Sequence, residues 1–147
     1  MLNGESDKSS YCEAVIQQAQ QGHVLIVTSA FTLAEVLFIK GQGKLDPAKR
    51  QQVETYFRAE HISVRNLTRA VSELARDVFW DFGINPKDAV HVATAVFYKI
   101  PVLHTFDEPL IGKSGVSING HTLIIEKPNI PHQLDLLGKA GEKEKSN

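Results

Sequence analysis

Three acidic residues of this 147-residue chain follow apolar segments in a pattern that suits metal-assisted chemistry. They are Glu35, Asp88 and Asp107. Carboxylates gathered at one edge of a sheet repel one another, and burial raises their pKa values further. A hard divalent cation such as Mg²⁺ or Mn²⁺ prefers oxygen ligands and relieves that repulsion. Such an ion activates water and binds a phosphodiester oxygen, so the pattern predicts cleavage of a nucleic-acid backbone.

Each acid also has a purely structural interpretation. Glu35 stands three residues after Thr32, which is the spacing of a capping box at a helix start. Asp88 stands three residues after Asn85, where a helix dipole favours a carboxylate. Asp107 follows an apolar strand, and an acid there suits the start of a turn. Only the joint placement of the three acids favours a functional site.

Histidines and aromatic residues leave alternatives open. His91 lies one turn after Asp88 and either contacts an acid or the substrate, or is a structural histidine beside the core. No histidine pair has H-E-x-x-H spacing, so no zinc site is expected. Phe79, Trp80 and Phe82 suggest a base-stacking platform, but the helical spacing of Phe79 and Phe82 favours the core.

Composition limits the class of protein and its partners. The sequence has 42% hydrophobic and 22% charged residues and a net charge of −1, as expected of a globular protein without a broad basic surface. Contact with nucleic acid must then be local. No apolar run is long enough to cross a membrane, the N-terminus does not resemble a secretory signal, and the single Cys12 fits a reducing compartment. A cytoplasmic location is therefore expected.

Helical and strand patterns alternate along the chain. The predicted helices cover 7–21, 32–40, 47–57, 68–82 and 86–97, and the predicted strands cover 24–28, 62–64, 102–105 and 122–125. This alternation predicts one α/β domain with a mostly parallel sheet, over residues 1–137. Residues 138–147 contain no large apolar side chain and read as a disordered, charged tail. The three acids then fall near the carboxyl ends of strands, where α/β sheets bind ligands.

Three blocks of this sequence resemble PIN-domain proteins, specifically VapC-type toxins: TSAFTLAEV (28–36), PKDAVHVATA (86–95) and LHTFD (103–107). The resemblance implies a three-layer α/β/α domain acting as a Mg²⁺- or Mn²⁺-dependent endoribonuclease. It also implies a homodimer held inactive by a cognate antitoxin. Glu35, Asp88 and Asp107 would be the catalytic and metal-binding acids, with Thr105 in support and His91 as a neighbour.

The resemblance also implies an acid that this sequence does not show. PIN-domain proteins begin with a strand that is central in the sheet and ends in an Asp, whereas residues 1–4 (MLNG) resemble the loop just beyond it. The first strand and its Asp are thus expected to be missing. Two interpretations follow: a toxin ribonuclease, or a truncated, inactive protein that only binds a partner such as an antitoxin. A receiver-like phosphoacceptor domain is disfavoured, because no lysine follows the late strand.

Overall fold

The structure, a computed structural model, describes residues 3–36, 44 and 46–129. Its helices are α1 (Asn3–Gln20), α2 (Ala30–Glu35), α3 (Pro47–Phe57), α4 (Arg69–Phe82), α5 (Pro86–Phe97) and α6 (Glu108–Ile111). Its strands are β1 (Ile26–Ser29), β2 (Ile62–Arg65), β3 (Val102–His104), β4 (Val116–Ile118) and β5 (His121–Glu126). The predicted tail lies outside the described residues.

The described strands form two sheets. Strands β1 and β2 pair in parallel, from Ile26 with Ile62 to Ser29 with Arg65. The second sheet has the order β3-β5-β4, in which β5 is parallel to β3 and antiparallel to β4. Helix α5 packs against β1, β3 and β5 and so spans both sheets. The predicted α/β class is confirmed. Two of the three described strand pairings are parallel, as expected of a mostly parallel arrangement, and the described strands divide into two sheets.

The boundaries of α4 and α5 follow from local chemistry. The Thr68 hydroxyl accepts a hydrogen bond from the Val71 N–H at the start of α4, and Gly83 ends that helix with φ 64°. A left-handed residue at this position is the usual helix terminator and favours glycine. At α5, the Asn85 side chain accepts from the Lys87 N–H, and Pro86 supplies a preset φ at the first helical position. Both predicted helix starts are confirmed.

The core lies between α4, α5 and the second sheet. The apolar stripe of α4 and the largely apolar α5 pack against each other, as a helix with apolar residues three and four apart is expected to do. The most deeply buried apolar side chains belong to these helices and to β5: Val71, Val78, Ala89, Val92, Ala93, Val96, Leu123 and Ile125. This core fixes the first turn of α5, which carries Asp88, relative to the strands.

The predicted burial of Phe79 is wrong, and two short elements were not predicted from the sequence. Phe79 is 42% exposed and Trp80 is 66% exposed, so only Phe82 of the aromatic group packs against the core. The short α6 and β4 were not predicted. Strand β4 pairs with β5 through the turn Asn119-Gly120, in which both residues have positive φ (51° and 77°). Asn-Gly is a strong signal for this two-residue hairpin turn, and it was present in the sequence.

Candidate active site

The three acids are carried by elements that end or begin at one edge of the fold. Helix α2 follows β1 without a break and ends at Glu35. Asp107 follows β3 and precedes α6, while Asp88 lies in the first turn of α5. Since β1 and β3 both pack on α5, their carboxyl ends bring Glu35 and Asp107 towards Asp88, as the general rule for α/β sheets predicts.

Glu35 does not take part in a capping box. The N-cap of α2 is Ser29, whose hydroxyl accepts a hydrogen bond from the Phe31 N–H at 3.1 Å. The Thr32 hydroxyl instead bonds to the Thr28 hydroxyl at 2.8 Å. The predicted cap at Thr32 is therefore wrong, and Glu35 is the last residue of α2 rather than part of its first turn. The predicted end of this helix at residue 40 lies outside the described residues.

Glu35 is held by a residue of another helix. Its Oε2 lies 3.0 Å from Nε2 of His91 on α5. A carboxylate oxygen only accepts hydrogen bonds, so the ring N–H of His91 donates. The ring of Phe31 lies beside that of His91, with 5.9 Å between ring centroids. The predicted contact of His91 with an acid is thus observed, and the same hydrogen bond also fits the structural interpretation of this histidine.

Asp88 lies in an unfavourable electrostatic environment. Burial, then the charge of Asp107 and more weakly that of Glu35, raise the pKa of the Asp88 carboxyl above its ordinary value, while His91 opposes the shift. Within the described ranges, the Asp88 carboxylate makes no hydrogen bond or ion pair. Repulsion between acids and partial desolvation are the terms that raise a carboxyl pKa. Glu35, His91 and Asp107, all of which the sequence predicts as site residues, thus lie close enough to Asp88 to shift the pKa of its carboxyl.

Asp107 has a structural role as well. Its Oδ2 accepts a hydrogen bond from the Leu110 N–H at 3.0 Å and so caps α6, and its own N–H donates to Oγ1 of Thr105 at 3.1 Å. The predicted turn interpretation is thus observed, and Thr105 supports the turn. Among the described residues, Oδ1 of Asp107 has no hydrogen-bond partner, and it remains available to a ligand.

Asp88 and Asp107 line the same cleft, whose volume is about 250 Å³. The described residues around it are Gly83, Ile84, Asn85, Asp88, Asp107, Pro109, Leu110 and Lys113. Ile84 and Leu110 are buried and apolar, whereas Asn85 and Lys113 are exposed and polar. In the sequence, Asn85 is recognisable only as a helix cap. No motif or spacing in the sequence marks Lys113, because it reaches the cleft through the turn after α6.

The donor set fits a hard divalent cation in kind and charge. The candidate ligands are carboxylate oxygens, and their mutual repulsion is relieved by a cation. In the parts of the chain that the structure describes, however, no three His, Cys, Asp or Glu side chains stand close enough to hold one metal ion together. Asp88 and Asp107, which share the cleft, are the pair that fits such an ion best, while Glu35 is engaged by His91.

The comparison with protein families identifies the family of the chain. The PIN domain model matches residues 2–112, which is about three quarters of the chain and includes all three acids. The chain belongs to the PIN domain family. PIN domains are generally nucleases, so membership supports hydrolysis of RNA as a coarse assignment.

Two further comparisons add nothing to the PIN assignment. No curated protein and no solved structure matches the chain.

In the part of the chain that the structure describes, no helix combines the length and apolar character needed to cross a bilayer.

Proposed function

We propose that this PIN domain is a Mg²⁺- or Mn²⁺-dependent endoribonuclease and the toxin of a toxin–antitoxin pair. The observation that carries the proposal is that Asp88 and Asp107, which come from separate elements, line one cleft. Burial there, then the charge of Asp107 and more weakly that of Glu35, raise the pKa of the Asp88 carboxyl. The helix cap of Asp107 and the hydrogen bond of Glu35 do not require these acids to lie near Asp88, and their mutual repulsion costs stability. A site for a cation that binds a phosphodiester gives that arrangement a purpose.

Asp88 and Asp107 would hold the cation from opposite elements of the cleft, with Glu35 as the third acid. When bound, the cation supplies an activated water and neutralises charge on the phosphate. Asp107 is kept in place by the Leu110 N–H and by Thr105, which leaves Oδ1 to face a ligand. Glu35 is kept in place by the His91 ring N–H, so His91 acts as a positioning residue for that carboxylate.

A second candidate function is a PIN domain that has lost catalysis and binds a partner such as an antitoxin. One observation favours it: no three candidate ligands in the described residues converge on a single point. A cognate antitoxin, a homodimer and a cytoplasmic location are parts of the proposal that rest on the family resemblance alone.

Cleavage of a labelled single-stranded RNA, followed with Mg²⁺, with Mn²⁺ and with chelator, separates the two functions. For the ribonuclease we expect cleavage that needs the cation and is lost in Asp88→Asn. We also expect Mn²⁺ to bind the wild type in calorimetry and to bind Asp88→Asn at least tenfold more weakly, since a carboxylate ligand is removed. Cation-independent cleavage retained in Asp88→Asn would identify a contaminating nuclease and contradict the proposal. Absence of both cleavage and Mn²⁺ binding would favour the partner-binding protein.

A further inference from the structure

The acidic cleft contains a cation that the candidate metal site does not use. Lys113 lines the cleft together with Asp88 and Asp107. Of the described residues that line the cleft, Lys113 alone carries a positive charge. Its ammonium group makes no ion pair or hydrogen bond with any residue in the described ranges, although two carboxylates line the same cavity. The ammonium group of Lys113 is therefore not paired with either of the two acids that line the cleft.

Two other lysines, Lys127 and Lys8, are engaged by contacts within the protein. Lys127 pairs with Glu108 of α6 at 2.8 Å, and the ammonium group of Lys8 lies 5.5 Å from the ring centroid of Phe106. Both of these cations are occupied by contacts within the protein, outside the lining of the cleft. Lys113 differs from them in having no partner and in facing the cavity that the two acids share.

The backbone of Lys113 is fixed, so its side chain starts from a defined point. The Lys113 N–H donates to the Leu110 carbonyl at 3.0 Å, and its own carbonyl accepts from the Val116 N–H at 3.2 Å. Leu110 is buried in the core at 5% exposure. The turn after α6 thus anchors the base of the side chain, while the flexible stem and its charged end remain in solvent.

We infer that Lys113 binds a backbone phosphate of the RNA beside the scissile bond. The inference rests on the proposed ribonuclease function and adds the group that recognises the substrate. A chain with net charge −1 needs a local cation to hold a polyanion, because phosphate contacts from lysine and arginine supply most of the affinity for nucleic acid. A compact ammonium on a flexible stem suits a single phosphate oxygen. Asn85 lines the same cleft, and its side-chain oxygen is used as the cap of α5, which leaves its amide NH₂ to donate to the same strand.

The test is binding of a fluorescent single-stranded RNA, measured by anisotropy as a function of salt. All proteins carry Asp88→Asn so that the RNA stays intact. Lys113→Met keeps the apolar stem and removes the charge, and Lys113→Arg keeps the charge. Lys127→Met is the control at a lysine outside the lining of the cleft. We expect Lys113→Met to raise Kd about tenfold, as loss of a hydrogen bond to a charged group does. We expect the salt dependence of log K to fall in slope by about 0.7, which is one phosphate contact on a single strand.

The outcomes distinguish this inference from the proposed function. Lys113→Arg should retain the parent's slope, and Lys127→Met should change neither Kd nor slope. A change of Kd in Lys113→Met without a change of slope would indicate a structural effect and overturn the inference. Equal binding by Lys113→Met and the parent would overturn it as well, while leaving the ribonuclease intact. If the wild type neither binds nor cleaves RNA, the proposed function fails and this inference fails with it.

Discussion

Glu35 and His91 are 56 positions apart in sequence, yet the carboxylate of one accepts a hydrogen bond of 3.0 Å from the ring nitrogen of the other. The contact joins the last residue of α2 to the middle of α5 and is partly buried, with side-chain exposures of 33% for Glu35 and 26% for His91. It fixes the one acid of the site that neither caps a helix nor lines the cleft. The position of Glu35 is thus set by tertiary contact and not by its own helix.

A double-mutant cycle measures this contact. We expect Glu35→Ala and His91→Ala to be coupled by about 0.5 kcal/mol in the free energy of unfolding, because a hydrogen bond between partly exposed side chains makes a small net contribution to stability. The matched cycle uses Glu35→Ala with Thr32→Ala and should give coupling within about 0.3 kcal/mol of zero. Coupling of Glu35 to Thr32 instead of His91 would restore the capping box and remove the basis for treating His91 as a positioning residue.

The N-cap predicted at Thr32 was wrong because the start of α2 depends on a tertiary contact. The segment Ser29-Ala-Phe-Thr32 contains two hydroxyl residues three positions apart, and each could begin a helix. The presence of Glu three residues after Thr32 favours the later start. In the structure, β1 continues to Ser29 because it pairs in parallel with β2 as far as Arg65, and the helix begins directly after that pairing ends. Strand pairing with a segment more than 30 residues away is not encoded in local spacing.

Elsewhere, local chemistry was sufficient. The starts of α3 and α5 were predicted from Asp46-Pro47 and Asn85-Pro86. In each pair, an N-cap residue is followed directly by a proline at the first helical position. The end of β3, which Asp107 follows, was also predicted, because this strand is a short apolar run. Lys113 was not predicted, because the turn after α6 carries no local signal of this kind. Lys113 and Asp88 line the same cleft only once the chain has folded.

The ionisation of Asp88 gives a prediction about stability and pH. Its carboxyl pKa is raised in the folded chain by burial and by Asp107, so ionisation disfavours folding, and the favourable helix dipole does not reverse the sign. Stability from this group is full below the unfolded pKa of about 3.9 and is lost as the pH rises through the folded value. We therefore expect Asp88→Asn without divalent cations to raise the free energy of unfolding at pH 7 by less than about 1 kcal/mol, since the group is partly exposed.

Urea denaturation at neutral and acidic pH checks this expectation. The advantage of Asp88→Asn should shrink as the pH falls and disappear below the unfolded pKa of about 3.9. A variant that is less stable than the wild type at neutral pH would show that the carboxylate stabilises the start of α5, which is the structural interpretation.

The packing of β5 predicts a large difference between adjacent residues. Leu123 is fully buried at 0% exposure, whereas Ile124 is 41% exposed. Truncation of a buried leucine removes its transfer free energy and leaves a cavity, so Leu123→Ala should cost about 3 kcal/mol. We expect Ile124→Ala to cost less than about 1 kcal/mol, because much of that side chain already contacts water. Thermal and urea unfolding measure both, and similar costs for the two variants would contradict the observed orientation of β5.

Asp107 allows the structural and chemical roles of one carboxylate to be separated. Its Oδ2 caps α6, and asparagine caps helices about as well as aspartate does. We therefore expect Asp107→Asn to keep the stability of the wild type within about 0.5 kcal/mol, while Asp107→Ala loses about 1 kcal/mol with the cap. The charge is absent from both variants. If the proposed ribonuclease is correct, the wild type should cleave RNA and rise in Tm with a divalent cation, and both variants should lose these two properties.

Asp46 is the matched control for that experiment, because it caps α3 by accepting a hydrogen bond from the Ala48 N–H at 3.0 Å and is not among the residues that line the cleft. Asp46→Asn and Asp46→Ala should reproduce the two stability changes, since the capping chemistry is the same. Neither should alter the cation-dependent rise in Tm, because that rise requires ligands in the cleft. If Asp107→Asn instead keeps that rise and cleaves RNA like the wild type, the Asp107 carboxylate serves α6 alone and the metal site must be sought among the other acids.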